Sequence, residues 1–238
     1  MSMLGSMLRA MRSLTGNGGC MVCGEPVTDA MRGVCIKCRY DIPLTNFCKE
    51  HDNLVREFIN NFVPVEQASS FIFFNQGDWR TLIHRFKYGS EWRIAYDMGV
   101  WYGSELKASG LYDDVDIVVP VPLHWRRTMR RGYNQSAYLA KGIASQLGLK
   151  VENRAVCRIY NNPAQALKPH DQRWENVENI FRVRKPELLA GRHILLVDDV
   201  LTTGATLVNC ARAIHAAIPD CRISVVTLAV TRHIAVIE

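Results

Sequence analysis

The stretch HILLVDDVLTTGATL, residues 193–207, decides how the rest of the chain is read. Residues 194–197 (ILLV) are uniformly apolar, which suits a strand buried on both faces of a sheet. Two adjacent carboxylates, Asp198 and Asp199, follow. After Val200 and Leu201 come Thr202, Thr203, Gly204, Ala205 and Thr206, a run of little bulk that leads into helical periodicity. In a parallel sheet, ligands gather beyond the carboxyl ends of the strands. A helix starting there with small residues offers backbone N–H groups and hydroxyls to one anion, and a glycine lets the backbone come close. A phosphate monoester at the loop and a polyol or metal at the acids would use both halves. The plain alternative is an ordinary helix with Thr202 or Thr203 as its N-cap. Paired acids weigh against it, because they repel unless something positive or hydroxylated meets them. The loop lacks the G-x4-G-K-[ST] pattern, which disfavours nucleoside triphosphate hydrolysis.

Working outward, SSFIFF (69–74) is β-rich, and DWRTLIHRFKY (78–88) and EWRIAYDMGVWYGSEL (91–106) have helical period. DVDIVVPVPL (114–123) is a second buried strand. A long helix over 125–147, strand-like AVCRIY (155–160), a polar loop, a helix over 204–216 and the strand ISVVTLAV (223–230) complete the order. Apolar strands alternating with helices predict an α/β fold with a mostly parallel sheet covered on both faces.

The 238 residues suffice for one medium domain with an appendage or for two small domains. No apolar run approaches the roughly 20 residues that cross a bilayer. The start, MSMLGSMLRAMRSL, lacks a signal-peptide core. Its Leu4, Met7, Leu8 and Met11 fall at helical spacing, so residues 1–16 are expected to form a short amphipathic helix in a cytoplasmic protein. Reducing conditions then favour metal-binding or inert thiols over disulfides for the eight cysteines. Cys20 and Cys23, then Cys35 and Cys38, form two C-x2-C knuckles eleven residues apart, the spacing of a closed tetrahedral zinc site in a compact ribbon. Cys48 and His51 make a further C-x2-H pair that is expected to be incidental, although either could replace a ligand. Cys157, Cys210 and Cys221 lie in apolar contexts and receive no function.

A net charge of +6 suits an anionic ligand or a nucleic acid. Four arginines, Arg126, Arg127, Arg130 and Arg131, fall within six positions, paired at helical spacing. They suit phosphate by their planar donor forks, or a nucleic-acid backbone with Trp125 and Tyr133 stacking on bases. Lys87 and Tyr88 add a cation and an aromatic. A solvated basic face is the ordinary alternative. His84, His124 and His170 lie near these motifs and none is nominated as a catalytic base.

The stretch LLVDDVLTTGATL resembles the phosphoribosyl pyrophosphate (PRPP) signature of type I phosphoribosyltransferases. The double C-x2-C ribbon, HRFKYGS, PVPLHWRRTMRRGYNQS and a Q-x7-R-x2-N segment, in that order, are similar to the ComF family, competence protein F and its relatives. The resemblance implies a zinc ribbon over 17–50, a connector over 51–68 and a phosphoribosyltransferase-like domain over 69–238. It implies that Asp198 and Asp199 meet ribose hydroxyls, and that Val200, Leu201, Thr202, Thr203, Gly204, Ala205 and Thr206 bind the 5′-phosphate of PRPP. Lys87 and the four arginines become candidates for pyrophosphate, and Gln165, Arg173 and Asn176 for a lid over it. Asn162 stands where many relatives have threonine. Mg²⁺ is the expected neutraliser, held largely through substrate oxygens and water. The acceptor is unidentified. Two functions follow: phosphoribosyl transfer in the service of DNA uptake, or a non-catalytic module binding single-stranded DNA.

Overall fold

The computed structural model describes residues 19–27, 33–74, 78–89, 91–159 and 180–235. Among these residues five strands build one sheet: β1 (Ala68–Phe73), β2 (Ile117–Pro120), β3 (Lys150–Val151), β6 (His193–Leu201) and β7 (Arg222–Val230). Their order is β1-β7-β6-β2-β3, and every neighbouring pair is parallel. Two further strands, β4 (Val156–Arg158) and β5 (Phe181–Val183), pair with each other, antiparallel, outside that sheet.

Side-chain alternation along the strands fills two cores. Ile117 and Val119 of β2, with Ile194 and Leu196 of β6, meet α2 (Leu54–Asn60), α7 (Ala205–Ala217) and the β4–β5 pair on one face. Val118, Leu195 and Val197 meet α3 (Asp78–Tyr88), α4 (Trp92–Ser109) and α6 (Gln135–Leu147) on the other. Helices α4 and α6 approach so closely that a Cβ on Gly142 would lie 2.2 Å from the Tyr96 carbonyl oxygen. The cysteine segment shares this second core through Cys20, Met21, Val22, Val34 and Cys38, the last on the short helix α1 (Ile36–Tyr40).

Three expectations need correction, and one stretch gains an element. The connector contains α2, whose Val55 and Ile59 are fully buried in the first core, because its apolar residues recur at helical spacing. The long helix over 125–147 is two helices, α5 (Trp125–Arg131) and α6. Gly132, at φ 83°, ends the first, and the Asn134 side chain accepts from Ser136 N–H (3.2 Å) to start the second. AVCRIY contributes β4 to the antiparallel pair and nothing to the parallel sheet. Finally, β6 continues through the two acids to Leu201, with Asp198 opposite Thr227 and Leu201 opposite Val230. The side chains change character there while the backbone ladder goes on. The expected helix over 1–16 lies outside the described residues.

At the amino end of the sheet, buried His193 meets Ser224 Oγ through Nε2 (2.8 Å) and Asp114 through Nδ1 (3.1 Å). This Ser-His-Asp line has the contacts of an acyl-transfer triad. Ser224, however, is fully buried and accepts from Gln67 N–H (3.2 Å), so no substrate reaches it and the cluster serves as a staple between strands.

Candidate functional site

At the carboxyl end, β6 delivers Asp198 and Asp199 beside the loop that enters α7. Ser136, in the first turn of α6, donates its hydroxyl to Asp198 Oδ1 at 2.8 Å, and Asp199 N–H donates to the same oxygen at 2.9 Å. Lys87, in the last turn of α3, pairs with Asp199 Oδ1 at 3.0 Å, both side chains largely buried. Burial, and then the neighbouring Asp199 charge, push the Asp198 carboxyl up from 3.8 to about 7 against the opposing pull of its two donors and Lys87.

The loop closes a small depression lined by Asp198 and residues 200–207. Its turn into α7 is made by Gly204, at φ 75°, as N-cap residue, and among the described residues no side chain caps the helix. Neither Thr202 nor Thr203 therefore caps α7, which leaves donors of its first turn for another acceptor. The glycine also has a reason beyond ligand approach. A Cβ there would lie 2.7 Å from Phe58 Cε1 of α2, and its positive φ is strained for any other residue. Thr231 anchors the loop from below, its backbone N–H donating to Leu201 C=O at 3.0 Å.

The segment 132–136 is tied to the end of α3. Tyr133 donates its hydroxyl to the Phe86 carbonyl, and Gln135 donates to the Lys87 carbonyl (3.2 Å) while accepting from Arg131 Nη1 (3.2 Å). Helix α5 buries no residue. Trp125 and Met129 are 58% and 76% exposed, Arg126 and Arg130 are also exposed, and Arg126 lies over the Trp125 ring at 5.2 Å. His124 begins α5, accepting at Nδ1 from Arg126 N–H (3.3 Å). Its pKa is lowered by desolvation and by the charges of Arg126, Arg158 and Arg127, which favours the neutral ring.

Sequence reasoning missed Ser136, Phe58, Thr231 and Arg158. The signal for Arg158 was a cation within an apolar strand pattern. Its guanidinium lies 5.5 Å from the centre of the Phe181 ring. Burial and Arg127 lower its pKa while Asp198 opposes them, so it belongs to the electrostatic surroundings of the acid pair. The structure thus brings Lys87, Asp198, Asp199 and residues 200–206 together. Gln165, Arg173, Asn176 and also Asn162 lie outside the described residues.

The second cluster is the cysteine ribbon. The ligand atoms of Cys20, Cys23, Cys35 and Cys38 all lie within 4.8 Å of one another, and the Cys23 and Cys35 sulfurs are 3.7 Å apart. A tetrahedron with Zn–S bonds of about 2.3 Å needs sulfurs about 3.8 Å apart. Backbone N–H groups point at the sulfurs, Cys35 to Cys20 at 3.3 Å and Cys38 to Cys35 at 3.5 Å. Burial opposes ionisation of Cys20, yet the N–H groups of Cys23, Cys35 and Val22 outweigh it and lower the thiol to about 7. Burial and the other three sulfurs hold Cys38 well above the usual range. So many thiolates cannot coexist at this distance without a cation, and the four residues fit a metal such as zinc. Cys48 and His51 are outside the cluster. Cys48 is buried, its thiol raised to about 11 mainly by desolvation, and His51 is exposed beside Asp52 (3.0 Å).

A parallel sheet with acids at one strand end and a loop of small residues after them suits a phosphoribosyltransferase-type domain, and residues 134–235 match the family model described as the phosphoribosyl transferase domain. The chain is 30% identical over 210 residues to the DNA utilization protein YhgH of Escherichia coli (strain K12), covering 84% of this chain and 91% of that protein. It is 29% identical over 205 residues to the competence protein ComFC of Bacillus subtilis (strain 168), covering 86% and 74%. Among solved structures, the PRPP amidotransferase of B. subtilis overlays 60% of this chain and 30% of that one at 17% identity and a TM-score of 0.39, too distant to bear on individual residues. With its ribbon of four cysteines ahead of the phosphoribosyltransferase-type domain, the chain belongs to the ComF family.

Proposed function

We propose that the site binds PRPP with Mg²⁺ and transfers its phosphoribosyl group to an acceptor, and that the activity serves DNA uptake, in keeping with the words DNA utilization and competence in the relatives' names. The observation that carries this reading is the uncapped start of α7 facing a depression whose other wall is Asp198. Residues 202–206 would take the 5′-phosphate on their N–H groups and hydroxyls, and Asp198 and Asp199 the ribose hydroxyls. In the transfer, the acceptor forms a bond to the anomeric carbon as the carbon–oxygen bond to pyrophosphate breaks. The acceptor's proton passes to solvent or to a base. Lys87 and Arg127 would stabilise the charge that gathers on the leaving group. Mg²⁺ bound through Asp198, Asp199 and substrate oxygens would neutralise the polyanion. Zinc is the metal proposed for the four cysteines, with a structural role.

Calorimetry of the full, zinc-loaded chain with PRPP and Mg²⁺ tests the reading. Saturable binding that is lost in Asp199→Asn supports it, and no heat of binding would overturn it.

A second reading has its own observation. On α5, Trp125 and Met129 stand exposed beside the exposed Arg126 and Arg130, which suits stacking and phosphate contact with single-stranded DNA. Binding that falls steeply with salt and disappears when Arg126, Arg127, Arg130 and Arg131 are replaced together supports this role. Undiminished binding removes α5 from it.

A further inference from the structure

The last turn of α3 is held from two sides. Arg85 Nη1 donates to the carbonyl oxygen of Met21, inside the first cysteine knuckle. The same guanidinium donates from Nε to Glu91 Oε1 at 2.9 Å and from Nη2 to Glu91 Oε2, a two-pronged grip on the residue that begins α4. Met21 N–H in turn donates to Gly33 C=O at 2.7 Å, joining the two knuckles' loops behind the contact. Residues two apart on a helix point about 200° apart. Lys87 therefore faces away from the ribbon and meets Asp199 at 3.0 Å, while the carbonyls of Phe86 and Lys87 receive Tyr133 and Gln135. One helical turn thus touches the cysteine cluster at Arg85 and the acid pair at Lys87.

We propose that Arg85 is a positioning residue through which metal in the four-cysteine ribbon sets the place of Lys87, and with it the affinity of the Asp198–Asp199 site for PRPP. The inference rests on the PRPP-binding reading of that site. Four thiolates around a divalent ion leave a net negative charge, and Arg85 is the cation that joins this charge to α3 through the knuckle backbone. With the metal in place the knuckle presents the Met21 carbonyl at a fixed point, and Arg85 and Glu91 fix the end of α3 against it. Without the metal the knuckle loses its geometry, Arg85 loses that anchor, and Lys87 loses its register with Asp199. Coupling of this kind is reciprocal, so PRPP must tighten zinc as much as zinc tightens PRPP.

The experiment uses the full, zinc-loaded chain. Zinc affinity is read by competition with a chromogenic chelator, with and without saturating PRPP and Mg²⁺, and PRPP affinity by calorimetry. For the unmodified chain, PRPP is expected to raise zinc affinity about tenfold, within the usual range for coupled sites. Arg85→Met is expected to retain one zinc per chain, bind PRPP about tenfold more weakly and lose the PRPP effect on zinc. A purely structural role for Arg85 would lower stability and leave that mutual effect intact, which overturns the proposal. So does an Arg85→Met chain that binds PRPP as tightly as the unmodified one, or an unmodified chain whose zinc affinity ignores bound PRPP. Absence of PRPP binding in the unmodified chain overturns the functional reading itself, and this inference with it. If Arg85→Met fails to fold, Glu91→Gln, which loosens the guanidinium that holds the Met21 carbonyl, replaces it under the same criteria.

Discussion

Replacing Asp198 by asparagine should stabilise the protein while abolishing PRPP binding, and the pH dependence of the gain is the sharp part of the expectation. The amide side chain would keep an Oδ1 to accept from Ser136 and from Asp199 N–H, so the local hydrogen bonds survive. What the substitution removes is a carboxylate whose ionisation is disfavoured by burial and by Asp199. A carboxyl raised from 3.8 to about 7 corresponds to at most about 4 kcal/mol of destabilisation once it is ionised. Relaxation of the loop and adjustment of Lys87 will relieve part of this, leaving about 1–2 kcal/mol, or about 3–6 °C in Tm for a chain of this length. Because the folded pKa lies above the unfolded one, the burden is absent below pH of about 4. It grows as pH rises and is complete above about 7. Thermal melts of both chains at pH 8 and pH 4.5 check this, with PRPP calorimetry at pH 8. A variant less stable than the parent at pH 8, or equally stabilised at both pH values, refutes the assignment of Asp198 as a strained acid held for a ligand.

Gly142→Ala drives a methyl into the Tyr96 carbonyl at the α4–α6 contact, and should destabilise by about 3 kcal/mol and lower Tm by about 6–12 °C. An unchanged melt would mean that the helices can separate freely. Gly204→Ala combines a strained φ with a clash on Phe58, so about 2 kcal/mol of stability and PRPP binding should be lost together; normal PRPP calorimetry in this variant would separate the loop from the ligand. Prolonged chelation, or Cys38→Ser, should remove bound metal and lower Tm by about 10 °C or more, because ribbon and sheet share a core. Metal analysis beside the melt checks it, and loss of zinc with no change in Tm contradicts the shared core.

The parallel sheet was legible because its strands are apolar on both faces. ILLV at 194–197 and VVTLAV in β7 need no partner to be recognised. The acid pair and the small-residue loop were legible for the opposite reason, as polar and bulkless residues where a buried strand predicts neither. Helix α2 escaped because it has only seven residues and mixed charge, and the period of Leu54, Val55, Phe58 and Ile59 runs for less than two turns. The break at Gly132 and Asn134 was written in the sequence as a C-terminal glycine followed by an N-cap asparagine, but the helical period on either side ran through it. Arg158, Ser136, Phe58 and the Arg85 contact are tertiary facts. Each joins residues from separate elements, and no local pattern encodes such a meeting.

Strand β6 carries polar side chains at both ends, and the two ends have been treated differently by the fold. At the amino end, His193 has Ser224 on one nitrogen and Asp114 on the other, and Arg222 closes the acid at 2.7 Å. These contacts link β6 to β7 and to the segment that enters β2, and so rigidify that end of the sheet. At the carboxyl end, Asp198 has Ser136 and a backbone N–H on one oxygen, yet burial and Asp199 still raise its carboxyl to about 7, and α7 begins beside it without a side-chain cap. A fold selected for stability alone would place a threonine hydroxyl at that cap and a neutral residue at 198. Both omissions fall around one depression, and a phosphorylated sugar with its cation supplies what each side lacks, an acceptor for the helix and a positive or hydroxylated partner for the acid.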